Sequence, residues 1–136
     1  MPLSTQEKIQ AFLRHGPFAV VGASTDRSKY GNKVLRCYMQ QGMQVYPVNP
    51  GANEVEGLRA FPDLASLPCP VPCISVITPP RVTEKLVEEA AVLGVKRIWM
   101  QPGAESPVAI ERAESLGMEV IAGGPCLLVV LGYHEC

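Results

Sequence analysis

The sequence predicts an α/β chain, a doubly wound (Rossmann-like) five-stranded parallel sheet with helices on both faces. Three observations predict it. Short continuous apolar runs alternate with segments of helical period along the chain. A Gly- or Pro-containing breaker follows strand after strand. The 136 residues suffice for one hydrophobic core. Parallel neighbours need a crossover between them, normally a helix, and strands covered on both faces read as unbroken apolar runs. Residues 1–136 are therefore expected to form a single domain, with a short helix at about 4–15 ahead of the sheet.

The elements follow in order. Ser4-Thr5-Gln6-Glu7 has the spacing of a capping box, and Ile9, Phe12 and Leu13 then share one helix face up to Gly16-Pro17. Phe18-Ala19-Val20-Val21, ending in Gly22, is the first strand. A helix from about Gly31 carries Val34, Leu35, Tyr38 and Met39 on its inner side and stops at Gly42. Met43 to Val48 is the second strand, broken by Asn49-Pro50-Gly51. Prolines at 62, 68 and 70 leave room for only one helical turn, near Asp63 to Ser66, in an irregular crossover. Ile74 to Ile77 is the third strand. Thr78-Pro79-Pro80 opens a helix with Val82, Leu86, Ala90 and Leu93 at helical spacing. Lys96 to Met100 is the fourth strand, Ser106-Pro107 a helix start, and Met118 to Ala122 the fifth strand.

Composition narrows the function. With 47% hydrophobic and 18% charged residues and a net charge of -1, the chain is an ordinary globular one with no electrostatic call for nucleic acid or membrane. The N-terminal stretch lacks the pattern of a secretory signal and no run of some 18 apolar residues follows, so a cytoplasmic location is expected. The five cysteines (Cys37, Cys69, Cys73, Cys126, Cys136) are odd in number and scattered. They read as free thiols rather than a disulfide framework or paired metal ligands, and no metal site is expected.

If all strands are parallel, the breakers Gly22-Ala23-Ser24, Asn49-Pro50-Gly51, Thr78-Pro79-Pro80 and Gln101-Pro102-Gly103 converge on one carboxyl edge, where ligands bind in doubly wound sheets. The first turn, Gly22 to Gly31, is the most informative. Gly22 permits close approach of a ligand, Ser24, Thr25 and Ser28 supply hydroxyls, and Arg27, Lys29 and Lys33 place cations beside the start of a helix. This is the chemistry of a phosphate site. The dinucleotide fingerprint G-x-G-x-x-G does not fit, because Gly22 and Gly31 are nine steps apart rather than five. Asn49 also stands where an acidic residue would hold a ribose diol.

These pieces together resemble a known family. Val21-Gly22-Ala23-Ser24 with Lys29, Val45-Tyr46-Pro47-Val48-Asn49-Pro50, Gly57, Ile98-Trp99-Met100-Gln101 and Cys126 are similar to small stand-alone CoA-binding domain proteins and to the N-terminal CoA-binding domain of the succinyl-CoA synthetase α subunit. The resemblance runs from about Phe18 to Cys126. It implies coenzyme A as ligand, with Gly22, Ala23 and Ser24 on the pyrophosphate and Arg27 and Lys29 near the ribose phosphate. Asn49 and Pro50 are implied beside the nucleotide, and Ile77, Thr78 and Pro79 along its length, with Gln101 in the next loop. Two departures stand out. Ala52-Asn53 replaces the synthetase's lysine after the Pro-Gly turn, and the tail from Gly123 to Leu131 is unusually apolar.

No catalytic constellation accompanies these loops. His15 lies on the first helix and His134 near the chain end. A pairing of His134 with Cys126 requires the tail to fold back. Glu54, Glu56 and Glu105 are loop carboxylates that read as solvated. The expectation is a non-catalytic carrier or regulator binding CoA or an acyl-CoA, with Cys126 open to a mixed disulfide with the CoA thiol. The alternative is an NAD(P)-binding redox module completed by a partner chain. The short-chain dehydrogenase reading fails for want of Tyr-x-x-x-Lys. Trp99 and the apolar tail pack either internally or in a homo-oligomer.

Overall fold

The computed structural model describes residues 3–134, so Cys136 lies outside the described residues. Five strands form the main sheet: β1 (Phe18–Val21), β2 (Val45–Val48), β5 (Cys73–Val76), β6 (Arg97–Met100) and β7 (Glu119–Ile121). Their order is β2-β1-β5-β6-β7 and every pairing is parallel. From β1 the chain winds outward to β2, then returns to the other side of β1 and continues through β5, β6 and β7. The direction of winding reverses between β1 and β5, and there the loops part to leave a crevice.

Helices cover both faces. On one face α1 (Thr5–Arg14), α2 (Tyr30–Gln40) and the short α5 (Leu127–Val130) bury Phe12, Leu35, Tyr38 and Leu127 against Phe18, Val20 and Trp99. On the other, α3 (Pro80–Val92) and α4 (Pro107–Ser115) bury Leu86, Val87, Ala90, Ala109 and Ala113 against Val21, Ile74, Val76, Ile98 and Met100. The strands are buried along almost their whole length, which is why each reads as a continuous apolar run.

Local chemistry sets the ends. Ser4 and Glu7 form the expected reciprocal capping box of α1, and Ser106 caps α4 through the Ala109 N–H. Pro47 is tolerated in β2 because β2 is an edge strand. The Pro47 carbonyl accepts outward from the Phe61 N–H, so the missing proline N–H is lost on that outer side and not to the ladder with β1.

Three expectations are corrected. The crossover after β2 is not merely irregular: β3 (Glu54–Val55) and β4 (Leu58–Arg59) form a small antiparallel hairpin turned by Glu56 and Gly57, both at positive φ, before a 3-10 turn at Leu64–Ser66 capped by Asp63. In α3 the inward stripe is Thr83, Leu86, Val87 and Ala90, while Val82 and Leu93 are exposed. The helix is rotated because Thr83 turns in to bond Thr78 and the Pro79 carbonyl. In α2 the stripe is Gly31, Val34, Leu35 and Tyr38, so Met39 falls beyond the sheet-facing edge and is exposed. Trp99 packs internally: it is fully buried edge-on to Phe12 and donates to the Pro125 carbonyl.

Candidate functional site

At the carboxyl ends of β1, β2 and β5 the loops enclose an open cleft of about 440 Å³ lined by Gly22, Ala23, Ser24, Lys29, Tyr30, Gly31, Asn49 and Ile77. Six of the residues selected from the sequence are thus brought together, at the point where the winding reverses. The β1 to α2 turn forms its floor. Gly22 has φ 98°, and a Cβ there would overlap the Ile77 carbonyl, so a side chain is excluded by backbone geometry and by the neighbouring strand's loop. Gly31 is required for a second reason. A Cβ at Gly31 would strike the Gly22 carbonyl oxygen, so only glycine lets the first turn of α2 seat on the end of β1.

That seating aims the start of α2 at the cleft. Lys29 is its N-cap and makes no side-chain cap bond, unlike Ser4 and Ser106 at α1 and α4. The N–H groups of Tyr30 and Gly31 have no partner one turn back within the helix. Such N–H groups, with the positive end of the helix dipole, favour an anion. The loop that precedes them is folded by its own side chains. Ser24 Oγ accepts from the Asp26 N–H, and Asp26 accepts from both the N–H and the hydroxyl of Ser28. The Ser28 bonds hold the exposed Asp26 carboxyl below the usual range, so it stays ionised.

Asn49 joins two loops. Its amide donates to the Ala23 carbonyl at 2.9 Å and its oxygen accepts from the Gly51 N–H at 2.7 Å. Turn former and site residue are therefore the same side chain. Beneath the first turn lies a polar network that the sequence did not suggest. Buried Asn32 donates to the Ser24 carbonyl (2.8 Å) and to Glu56 (3.1 Å) and accepts from Arg36 Nε (2.6 Å). Arg36 in turn donates to the Arg27 carbonyl. The Asn32 and Arg36 spacing of four residues on one helix was the available signal.

The remaining selected residues are placed differently. Arg27 is exposed and pairs with Glu56 at 3.4 Å, so its charge is already offset, whereas Lys29 lines the cleft. Pro50 is exposed beside Asn49. Thr78 bonds Thr83, and Pro79 is the N-cap of α3, so both shape the wall after Ile77. Gln101 is fully buried rather than lining the cleft. Its Oε1 accepts from the Leu127 N–H (2.9 Å) and from the hydroxyl of Tyr30 (3.1 Å), which also lies 2.7 Å from Cys126 Sγ. The sequence singled out neither Tyr30 nor its contact with Cys126.

His15 and His134 are exposed, and among the described residues no hydrogen bond joins His134 to Cys126. Of the loop carboxylates, Glu56 is held by Arg27 and Asn32, Glu105 accepts from the Gly103 N–H, and Glu54 is exposed. No group of three or more metal-ligating side chains occurs among the described residues, and none of their helices is long and apolar enough to cross a membrane.

A glycine turn and an open helix start at the switch point of a doubly wound sheet define a nucleotide-binding α/β domain. Within that class the chain belongs to the CoA-binding domain family, whose profile matches residues 17–132. It is 28% identical over 134 residues to the α subunit of an ADP-forming acetate–CoA ligase II from Pyrococcus furiosus, an alignment covering 90% of this chain and 29% of the ligase subunit. The chain thus spans less than a third of that relative's length. Among solved structures it resembles a hypothetical protein from Pyrococcus horikoshii OT3, with TM-score 0.86, 28% identity and coverage of 93% of this chain and 89% of the other. It also resembles a conserved hypothetical protein from P. furiosus, with TM-score 0.78, 39% identity and coverage of 83% and 97%. The resemblance read from the motifs is borne out.

Proposed function

We propose that this chain binds coenzyme A or an acyl-CoA across the carboxyl edge of its sheet and acts as a non-catalytic carrier or regulator. The observation that carries the reading is the cleft itself. In a member of the CoA-binding domain family, the first turn, the uncapped start of α2, Lys29, Asn49 and Ile77 all meet at the switch point. In this reading the pyrophosphate lies over Gly22 to Ser24 against the N–H groups of Tyr30 and Gly31, and Lys29 attends the ribose phosphate. Pantetheine then runs past Ile77 toward Gln101 and Cys126.

The non-catalytic part of the reading is supported by how the polar groups around the cleft are used. Glu56 is committed to Arg27 and Asn32, which leaves it unpoised as a base. Calorimetry with CoA and dephospho-CoA tests the proposal. Saturable CoA binding, weaker for dephospho-CoA, is expected, and no CoA binding below about 1 mM would overturn it. Native mass spectrometry of the purified chain checks whether CoA is carried along.

A further inference from the structure

Beside the cleft, at Tyr30, three side chains from distant parts of the chain meet. Tyr30, on the first turn of α2, lines the cleft and places its hydroxyl 2.7 Å from Cys126 Sγ and 3.1 Å from Gln101 Oε1. Cys126 is a free thiol, half-buried just after the Gly123-Gly124-Pro125 turn. Gln101 is fully buried, and its amide nitrogen has no hydrogen-bond partner. Its orientation is not arbitrary. The Leu127 N–H can only donate, so the amide atom facing it must be the oxygen, which leaves the nitrogen as an unsatisfied donor. A buried amide donor without a partner is costly in a finished core, so the Gln101 side chain is held here by what its oxygen accepts from Leu127 and Tyr30.

Resting on the CoA reading above, we propose that Tyr30, Gln101 and Cys126 form a thiol-exchange site for the disulfide form of the ligand, which leaves the protein carrying CoA as a mixed disulfide on Cys126. The Cys126 thiolate attacks one sulfur of the symmetrical CoA disulfide. That S–S bond breaks, a Cys126–S–S–CoA bond forms, and the second CoA departs as a thiolate that takes a proton from water. The proton lost by the Cys126 thiol goes to solvent. No electrons enter or leave.

Tyr30 is the positioning residue. It has one proton to give. With Cys126 as the thiol, the S–H donates to the tyrosine oxygen while the tyrosine O–H donates to Gln101. With Cys126 as the thiolate, the O–H turns to the sulfur and Gln101 keeps its bond from Leu127. The tyrosine itself remains protonated, since burial and the hydrogen bond to Cys126 push its ionisation far above the ordinary range.

The test incubates the full chain with CoA disulfide, with glutathione disulfide in parallel, and follows intact mass and peptide mapping. A single CoA adduct on Cys126 is expected, formed at least about tenfold faster than the glutathione adduct and lost in Cys126→Ser but kept in Cys69→Ser. Tyr30→Phe should slow the adduct about tenfold at pH 7 and move the pH–rate curve to higher pH, because the thiolate loses its donor. An adduct spread over other cysteines, equal rates for the two disulfides, or an unmoved pH profile in Tyr30→Phe overturns the proposal. Calorimetry on the unmodified chain separates the two readings. Reduced CoA that binds without any adduct forming from its disulfide defeats the exchange site alone, whereas absence of both defeats the CoA reading as well.

Discussion

Gly31 packs on Gly22 so closely that a Cβ on the helix residue would overlap the turn residue's carbonyl oxygen. The contact joins the start of α2 to the end of β1, and the whole first turn is built on it. Gly31→Ala should therefore cost about 1–3 kcal/mol by overpacking. It should also weaken CoA binding by displacing the Tyr30 and Gly31 N–H groups. Urea unfolding with an unchanged slope and a lowered midpoint, together with calorimetry, checks both effects. An unaltered midpoint would show that the helix start is not seated on this contact.

Asn49 holds the β2 loop to the β1 loop through Ala23. Asn49→Ala removes that bond and the one from Gly51, and should cost about 1–2 kcal/mol of stability. Because the effect acts through loop position, the dissociation constants for CoA and dephospho-CoA should rise by the same factor, about tenfold. A loss confined to CoA would instead place Asn49 against the 3′-phosphate.

Lys29 lines the cleft, while Arg27 is paired with Glu56. Lys29→Ala should raise the dissociation constant for CoA by about five- to tenfold and leave that for dephospho-CoA within about twofold. Arg27→Ala should do less, since its exposed pair is already neutral overall. Equal losses for both ligands in Lys29→Ala would move the lysine from the ribose phosphate to the pyrophosphate.

Stability should fall at alkaline pH. Burial pushes the thiols of Cys37 and Cys73 up to about 11, against an ordinary value of 9.0. Between those values the unfolded chain has released protons that the folded chain keeps. The stabilisation is thus complete below pH 9 and is lost as pH rises through 11. Tyr38, raised mainly by burial, adds to this at still higher pH. The urea midpoint should drop between about pH 9 and pH 11, and Cys73→Ala should flatten that drop. A midpoint independent of pH over this range would contradict the account.

Much of the fold was legible because parallel strands buried on both faces leave long apolar runs, and because Ser4, Ser106 and Pro107 announce their helices locally. The β3–β4 hairpin was not legible. Each of its strands has only two residues, too short for any alternation, and its turn puts Glu56 at positive φ, an unusual conformation for that residue. The rotation of α3 was misread for a related reason. Val82 and Leu93 fit the helical period as well as Thr83 does, and the tertiary contacts, Val87 in the core and Thr83 bonded to Thr78, turn the other face inward.

The amino-acid sequence by itself determined the α/β alternation, the single carboxyl edge to which the loops at Gly22, Asn49, Ile77 and Gln101 belong, and the glycine-started, cation-bearing first turn. These follow from local rules of period, breaker and charge. Only the tertiary structure decided what the residues do there. It paired Arg27 with Glu56 and left Lys29 on the cleft, set Asn32 and Arg36 beneath the turn, and brought Tyr30, Gln101 and Cys126 together. The physical reason is that partners separated by 24 to 96 positions meet only when parallel crossovers stack their loops on one edge of the sheet.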